Sequence, residues 1–210
     1  MIFYRNTKKE DLKIVSKLYA QSFKEYCFLK DTIGKTFQND IKYLRFLEKL
    51  FFINTKAYMK KHICLVGILN KKIVSTAILK DPNKPGIGLL DYIFSGGIKL
   101  FKESSLLNVL RFFKFLGDAE KSCKSLNKPV WYLESLAVDN LYQGQSLGSK
   151  MINDCLIPCI ASHGGEEVAL ITNSEINRKF YTKNEFREFN STTIYFKNSG
   201  VSNWSYHKKL

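Results

Sequence analysis

The stretch PVWYLESLAVDNLYQGQSLGSKMI, residues 129–152, decides how the rest of the chain is read. Its first part, VWYLESLAV (130–138), is apolar and strand-like. Its last part opens a helix-like run that continues to Ser162. Between them lies a polar turn containing Gly144 and Gly148. A strand that feeds such a turn into a helix leaves the first N–H groups of the helix without carbonyl partners, and those groups attract an anion. Glycine there permits close backbone approach and unusual φ angles. The backbone of Gln143, Gly144, Gln145, Ser146, Leu147, Gly148 and Ser149 is therefore a candidate anion cradle.

Working outward, a second strand follows at EVALIT (167–172), and His163-Gly164-Gly165 ends the helix before it. EINRKFYTKN (175–184) reads as a helix. FREFNSTTIYF (186–196) and NWSYHKKL (203–210) read as late strands. Toward the N-terminus, MIFYR reads as a strand. Thr7 and Glu10 have the T-x-x-E spacing of a capping box, and Leu12, Val15, Leu18 and Tyr19 recur at helical spacing after them. A second helix is expected over 38–53. HICLVGIL (62–69) and IVSTAIL (73–79), joined through Asn70-Lys71-Lys72, form a hairpin pattern. Residues 87–128 are expected to be helical, capped at Ser104 or Ser105, and apolar on too many sides to lie on an open surface. One mixed α/β domain over 1–210 is the economical reading.

Composition narrows the function classes. The chain has 210 residues and 45% hydrophobic side chains, enough for a substantial core. No apolar run approaches the ~18 residues of a membrane span. The start, MIFYRNTKKEDLK, lacks the apolar h-region of a signal peptide. The five cysteines form no C-x-x-C pair, so no metal site is expected and reduced thiols in the cytoplasm fit best. The three histidines are scattered, and no G-x-S-x-G nucleophile elbow occurs.

The net charge of +14 lies entirely in residues 1–130, where 25 basic residues face 11 acidic ones; the remainder has eight of each. This admits a polyanionic partner such as RNA. Against it, 28 of the 33 basic residues are Lys, whereas fork-shaped recognition of phosphates favours Arg. The leading reading is that the charge is compositional, and nucleic acid stays as the alternative partner.

The segment Gln143-Gly144-Gln145-Ser146-Leu147-Gly148 resembles the Q/R-x-x-G-x-G/A motif of the GNAT superfamily of N-acetyltransferases. Arg5 to Asp11 resembles the family's opening strand and helix start. Asn177-Arg178-Lys179-Phe180-Tyr181 with Phe186 resembles its N-x-x-F-Y…F segment, and 129–149 is similar to puromycin acetyltransferase-like members. The resemblance covers the chain in outline and is specific over 129–186. It implies a single GNAT-like domain: a central mixed, mostly antiparallel twisted sheet with helices on both faces and splayed strands at a cofactor cleft. Residues 1–128 would form the acceptor side, with a helical insert over about 87–128, and 129–210 the acetyl-CoA side. It further implies acetyl-CoA as acetyl donor, with its pyrophosphate on the turn and its pantetheine arm along Leu136, Ala137 and Val138. Asn177 and Phe180 would touch that arm. Tyr181 would stand near the thioester sulfur, where a phenol can protonate the leaving thiolate. The acceptor pocket would come from residues of about 21–60 and from the late strands.

Two positions depart from the family pattern. Ser146 replaces a glycine but keeps its N–H. Glu185 also replaces a glycine, with Asn184 beside it as the residue that tolerates the left-handed region. For the base, Glu134 is the candidate. Strand alternation places it on one face with Leu136 and Val138, and an apolar cleft would raise its pKa. Deprotonation through ordered water is an equal alternative. The leading expectation is direct acetyl transfer to a small-molecule primary amine. The alternatives are a GNAT-fold module that binds RNA or another polyanion, and a transferase acting on an amine carried by a polyanion such as aminoacyl-tRNA. No membrane partner is expected, and whether the chain pairs with a second copy stays open.

Overall fold

The computed structural model describes residues 1–126 and 128–210; Asn127, within the segment expected to be helical, lies outside them. Seven strands form one sheet: β1 (Phe3–Asn6), β2 (Ile63–Leu69), β3 (Lys72–Lys80), β4 (Trp131–Val138), β5 (Glu167–Thr172), β6 (Arg187–Phe196) and β7 (Ser199–Lys209). Their spatial order is β1-β2-β3-β4-β5-β7-β6. All neighbours are antiparallel except β4 and β5. The β2–β3 hairpin turns on Asn70 (φ 49°) and Lys71 (φ 64°), two positive φ angles as a type I′ turn requires.

Alternation along the strands gives the sheet two cores. Val66 and Ile78 face one cluster, and their neighbours Leu65 and Ala77 face the other. The first cluster is covered by α1 (Leu12–Phe23), α2 (Cys27–Lys30), α3 (Asp40–Tyr58), α4 (Leu89–Phe94) and α5 (Leu106–Ala119), which leads into α6 (Lys121–Lys124). The second is covered by a helical run of α7 (Leu147–Lys150), a π-helical segment Met151–Leu156 and α8 (Ile157–Ser162), followed after β5 by α9 (Glu175–Lys183). The sequence pattern reads 146–162 as one regular helix. The π winding stands just before Pro158, which has no N–H to donate to the ladder. Gly164 then takes φ 73° and ends the run. Arg178 fastens α9 to the sheet: its guanidinium lies 4.5 Å over the Trp204 ring and pairs with Glu188 at 2.9 Å.

Several expectations are corrected. The T-x-x-E box does not form. Asp11 accepts the Lys8 N–H at 2.7 Å and a bidentate pair from Arg5, while the buried Thr7 hydroxyl has no partner among the described residues. The second main helix runs to Tyr58, a turn beyond the expected end. Strand β7 begins at Ser199, so β6 and β7 make a tight hairpin. One expectation of the 87–128 segment holds: of the two candidate caps, Ser105 caps α5, accepting from the Asn108 N–H at 3.3 Å. The apolar segment after residue 86 does not bury all of its sides. Helix α4 has no fully buried residue, and Leu89, Leu90 and Phe94 are 66–72% exposed.

Candidate active site

The site begins with a strand that loses its neighbour. Strand β4 pairs with β3 from Ser75↔Val138 down to Lys80↔Tyr132. It meets β5 only at Trp131↔Val168 and Tyr132↔Ala169. Beyond Tyr132 the two strands part, and the edge of 133–138 that would face β5 has no strand partner among the described residues. A bulge stands at the parting. Ile78 pairs with Ser135 and Leu79 with Leu133, so Glu134 is skipped. Such a bulge increases local twist and re-aims a side chain. It also breaks the alternation. Glu134 does not share a face with Leu136 and Val138, as strict period two predicts. It lies on the side of Tyr58 and of Ser135, whose hydroxyl donates to Tyr19 at 3.0 Å, whereas Leu136 packs on the other cluster.

At the end of β4 the chain enters the turn. Gly144 has φ 76° and Ser146 φ 59°, so serine occupies the left-handed region that the glycine of the motif would have taken. This costs a non-glycine residue roughly 1–2 kcal/mol. Gly148 does not have a positive φ. Its requirement is spatial: a Cβ there would lie 3.0 Å from Phe180 Cζ and 3.8 Å from Val138 Cγ2. The first helical bond is Lys150 N–H to Ser146 O, which leaves the N–H groups of Leu147, Gly148 and Ser149 without backbone partners among the described residues. The Gln143 side chain is turned inward, donating to Val138 O (3.1 Å) and Asn140 Oδ1 (2.9 Å). Ser22 Oγ also donates to Val138 O, at 3.0 Å, so this carbonyl is occupied at the end of the open edge. Ala137 is buried in the first cluster and offers the edge only its backbone. Gln145 is exposed on the turn. At the second departure, Glu185 itself takes φ 65° and Asn184 stays at φ −93°, contrary to the expected division of labour. Lys208 Nζ binds Asn184 O (3.0 Å) and Glu185 Oε2 (2.8 Å), fixing that corner.

A cavity of about 500 Å³ opens from the parted strands. Leu136, Asn177 and Tyr181 line the end beside the turn, and Glu134 lines its middle. Tyr181 is buried, its ring edge-on to Phe180 and Phe186. Burial, reinforced by nearby Tyr26, raises its pKa and keeps the phenol protonated. Glu134 Oε2 is enclosed and has no hydrogen-bond partner among the described residues. Burial, and then the charge of Glu120, push the Glu134 carboxyl up to about 7 against the opposing pull of Lys80, Tyr58 and Lys124. Burial also raises the phenols of Tyr58, Tyr92 and Tyr132, so these walls stay neutral.

The far end holds residues that no motif marks. Glu120 Oε2 sits 2.8 Å from Lys124 Nζ and 3.9 Å from Lys80 Nζ, and Lys80 stands over the Tyr132 ring. Phe112, Phe113 and Leu116 of α5 close one wall, so the 87–128 segment lines the pocket. The late strands, expected to contribute, supply none of the described lining residues. The sequence marks α5 only as part of an apolar helical run; nothing in it singles out Glu120. Among the described residues, no group of three His, Cys, Asp or Glu stands where it could hold a metal ion.

Residues 36–186 match the model of the acetyltransferase (GNAT) family. The chain belongs to that family. No curated protein matches it in sequence. Solved structures share the GNAT fold at low identity. An agmatine N-acetyltransferase superposes with TM-score 0.61 at 13% identity, each chain covered in full. The Drosophila melanogaster polyamine N-acetyltransferase gives 0.57 at 12%, again with full coverage of both. The C-terminal condensation domain of Ebony, in complex with β-alanyl-dopamine, gives 0.68 at 12%, covering 100% of this chain and 99% of that one. The chain is thus an N-acetyltransferase of the GNAT family, built on a single α/β domain.

Proposed function

We propose that this GNAT member transfers an acetyl group from acetyl-CoA directly to the primary amine of a small molecule. The observation that carries the reading is the open β4 edge. It runs from the N–H groups of Leu147–Ser149 to a cavity that holds a protonated phenol and a carboxyl with a raised pKa. The fit to the donor rests on this chain's own geometry. The first helical turn offers free N–H groups to a pyrophosphate, and the absence of a Cβ at Gly148 keeps the approach open. The edge of Leu136 and Ala137 offers backbone to an extended arm, with Asn177 and Phe180 beside it. Residues 129–210 then form the donor half and 1–128 the acceptor half. The likeness of 129–149 to puromycin acetyltransferase-like members lies wholly in the donor half and leaves the acceptor open.

When bound, acetyl-CoA supplies an acetyl thioester, and transfer to an amine makes an amide and frees a thiol. The amine must lose a proton to become a nucleophile and lose a second as the amide forms. Glu134, ionised above about pH 7, accepts one directly or through water. Tyr181 keeps its proton at neutral pH and gives it to the departing sulfur, and the second proton lost by the amine restores the phenol. The aromatic walls exclude water from the same space. The N-acetyltransferases of agmatine and polyamines, which share the fold, also act on amines of small molecules. Tyr181→Phe removes the proton donor and keeps the ring. Turnover, read as free thiol, should fall by about 10²–10⁴-fold, with acetyl-CoA affinity nearly unchanged by calorimetry. Wild-type turnover in this variant would make Tyr181 a packing residue and remove it from the chemistry.

A further inference from the structure

The far end of the cavity has a charge arrangement that selects among amines. Glu120 is shared by two lysines, Lys124 at 2.8 Å and Lys80 at 3.9 Å, which leaves that end with one positive charge in excess. Another polar group of the wall, the Tyr92 hydroxyl, already donates to Asn54 Oδ1 at 3.0 Å. Glu134, with its enclosed and partnerless Oε2, is the remaining anchor for a cation. Between Glu134 and the open side the walls are rings, with Phe28, Phe51, Phe112 and Phe113 among them. Rings of this kind stack with flat apolar groups and favour a cation near their faces.

We propose that the acceptor is a primary monoamine on an aromatic body. Its single ammonium group binds at Glu134, and the Lys80–Glu120–Lys124 cluster refuses diamines and polyamines. This rests on the transferase reading above and assigns its substrate class. A second ammonium reaching the far end meets two lysines and no free carboxylate. Like charge disfavours the second ammonium there, chiefly through Lys80, whose side chain is 26% exposed, since that of Lys124 is 54% exposed and screened by solvent. The preference thus differs from that of the agmatine and polyamine enzymes that share the fold.

The test uses the full chain, acetyl-CoA, and two sets of acceptors: phenethylamine and tryptamine, then putrescine, agmatine and spermidine. Thiol release should give the aromatic monoamines a kcat/KM about 10²-fold above the diamines, a tenfold step being about 1.4 kcal/mol. The double variant Lys80→Gln/Lys124→Gln frees Glu120 and should narrow that ratio at least about tenfold, by gain of diamine turnover. Calorimetry on the chain alone provides a second readout, in which phenethylamine binds more tightly than putrescine and Glu134→Gln abolishes its binding. Preference for putrescine or spermidine, in turnover or in binding, overturns the inference and leaves acetyl transfer standing. Absence of thiol release with every amine and of acetyl-CoA binding overturns the transferase reading instead, and the calorimetric order of the two amines still decides this inference. An unaltered ratio in the double variant would remove the lysine cluster as its cause.

Discussion

Glu134 draws its properties from three places at once. The bulge aims it into the cavity, burial and Glu120 raise its pKa to about 7, and Lys80, Lys124 and Tyr58 hold it from rising further. The sequence marks it as a carboxylate in an apolar strand. It assigns the wrong face, because period two assumes an unbroken ladder. Tyr181 is legible from its motif, since a short helix and the strand after it fix its place. The Glu134 shift has two consequences of opposite sign. As a base, Glu134 works when ionised, so log kcat/KM should climb with unit slope to a plateau above about pH 7, and Glu134→Gln should lose that limb. For stability, the folded carboxyl binds its proton more tightly than the unfolded one at its ordinary 4.5. The native state therefore holds more protons between about 4.5 and 7. The stability contributed by this group is full below that window and lost as pH rises through it. Denaturant unfolding at pH 5 and pH 8 should show wild type losing more stability than Glu134→Gln across that interval. A variant that loses as much as wild type would refute the raised pKa.

Among the elements, the β4–turn–helix unit is the one best read from sequence. Residues 143–149 fold as the motif implies because local chemistry decides them: a strand end, a left-handed residue at 144 and again at 146, and a helix start. What the motif misassigns is the reason for each glycine. Ser146 tolerates its positive φ, so the position does not demand glycine. Gly148 needs no positive φ but has no room for a side chain beside Phe180. Gly148→Val should therefore displace Phe180 and crowd the N–H groups of the first turn. Overpacking of this kind costs about 1–3 kcal/mol. Acetyl-CoA affinity, measured by calorimetry, should fall while the far end of the cavity still binds amine. Unchanged affinity would mean that the phosphate-bearing donor does not approach this turn. The acceptor elements were far less legible. Tyr58, Tyr92 and Phe112 come from three helices and Glu120 from the joint between α5 and α6, spread over some sixty residues, and topology alone gathers them around Glu134. No spacing in the sequence announces that meeting.

At the scale of the whole molecule, the +14 charge remains to be placed. Of the lysines of residues 1–130 that are paired among the described residues, only Lys128 draws on the other half, reaching Glu167 at 2.9 Å. Lys49 with Glu103, Lys61 with Asp91 at 2.6 Å and Lys124 with Glu120 pair within residues 1–130 and leave the excess as it is. The remaining lysines stand on several elements, among them α1, α3 and the 97–102 turn, interleaved with exposed apolar groups such as Ile98 and Phe101. A surface that tracks a nucleic-acid backbone concentrates its cations along one groove and adds Arg forks. Here the deep cavity is lined by rings and is close to neutral once Glu134 ionises, with Lys80 and Lys124 against Glu120 and Glu134. Such a cavity suits a small amine and not a phosphate chain. RNA binding should accordingly be weak and non-saturating at physiological salt. What there is should fall steeply with added salt, since each phosphate contact on a single strand contributes about −0.7 to the slope of log K against log salt. Acetyl-CoA affinity, which involves fewer charges, should respond much less. The measurement is a pair of salt titrations, one with tRNA and one with acetyl-CoA, on the same preparation. A saturable tRNA complex at physiological salt, tighter than roughly micromolar and so beyond the ~10⁻⁴–10⁻⁶ M of non-specific binding, would give the basic half a function. It would also move the acceptor from a free amine to one carried on a polyanion.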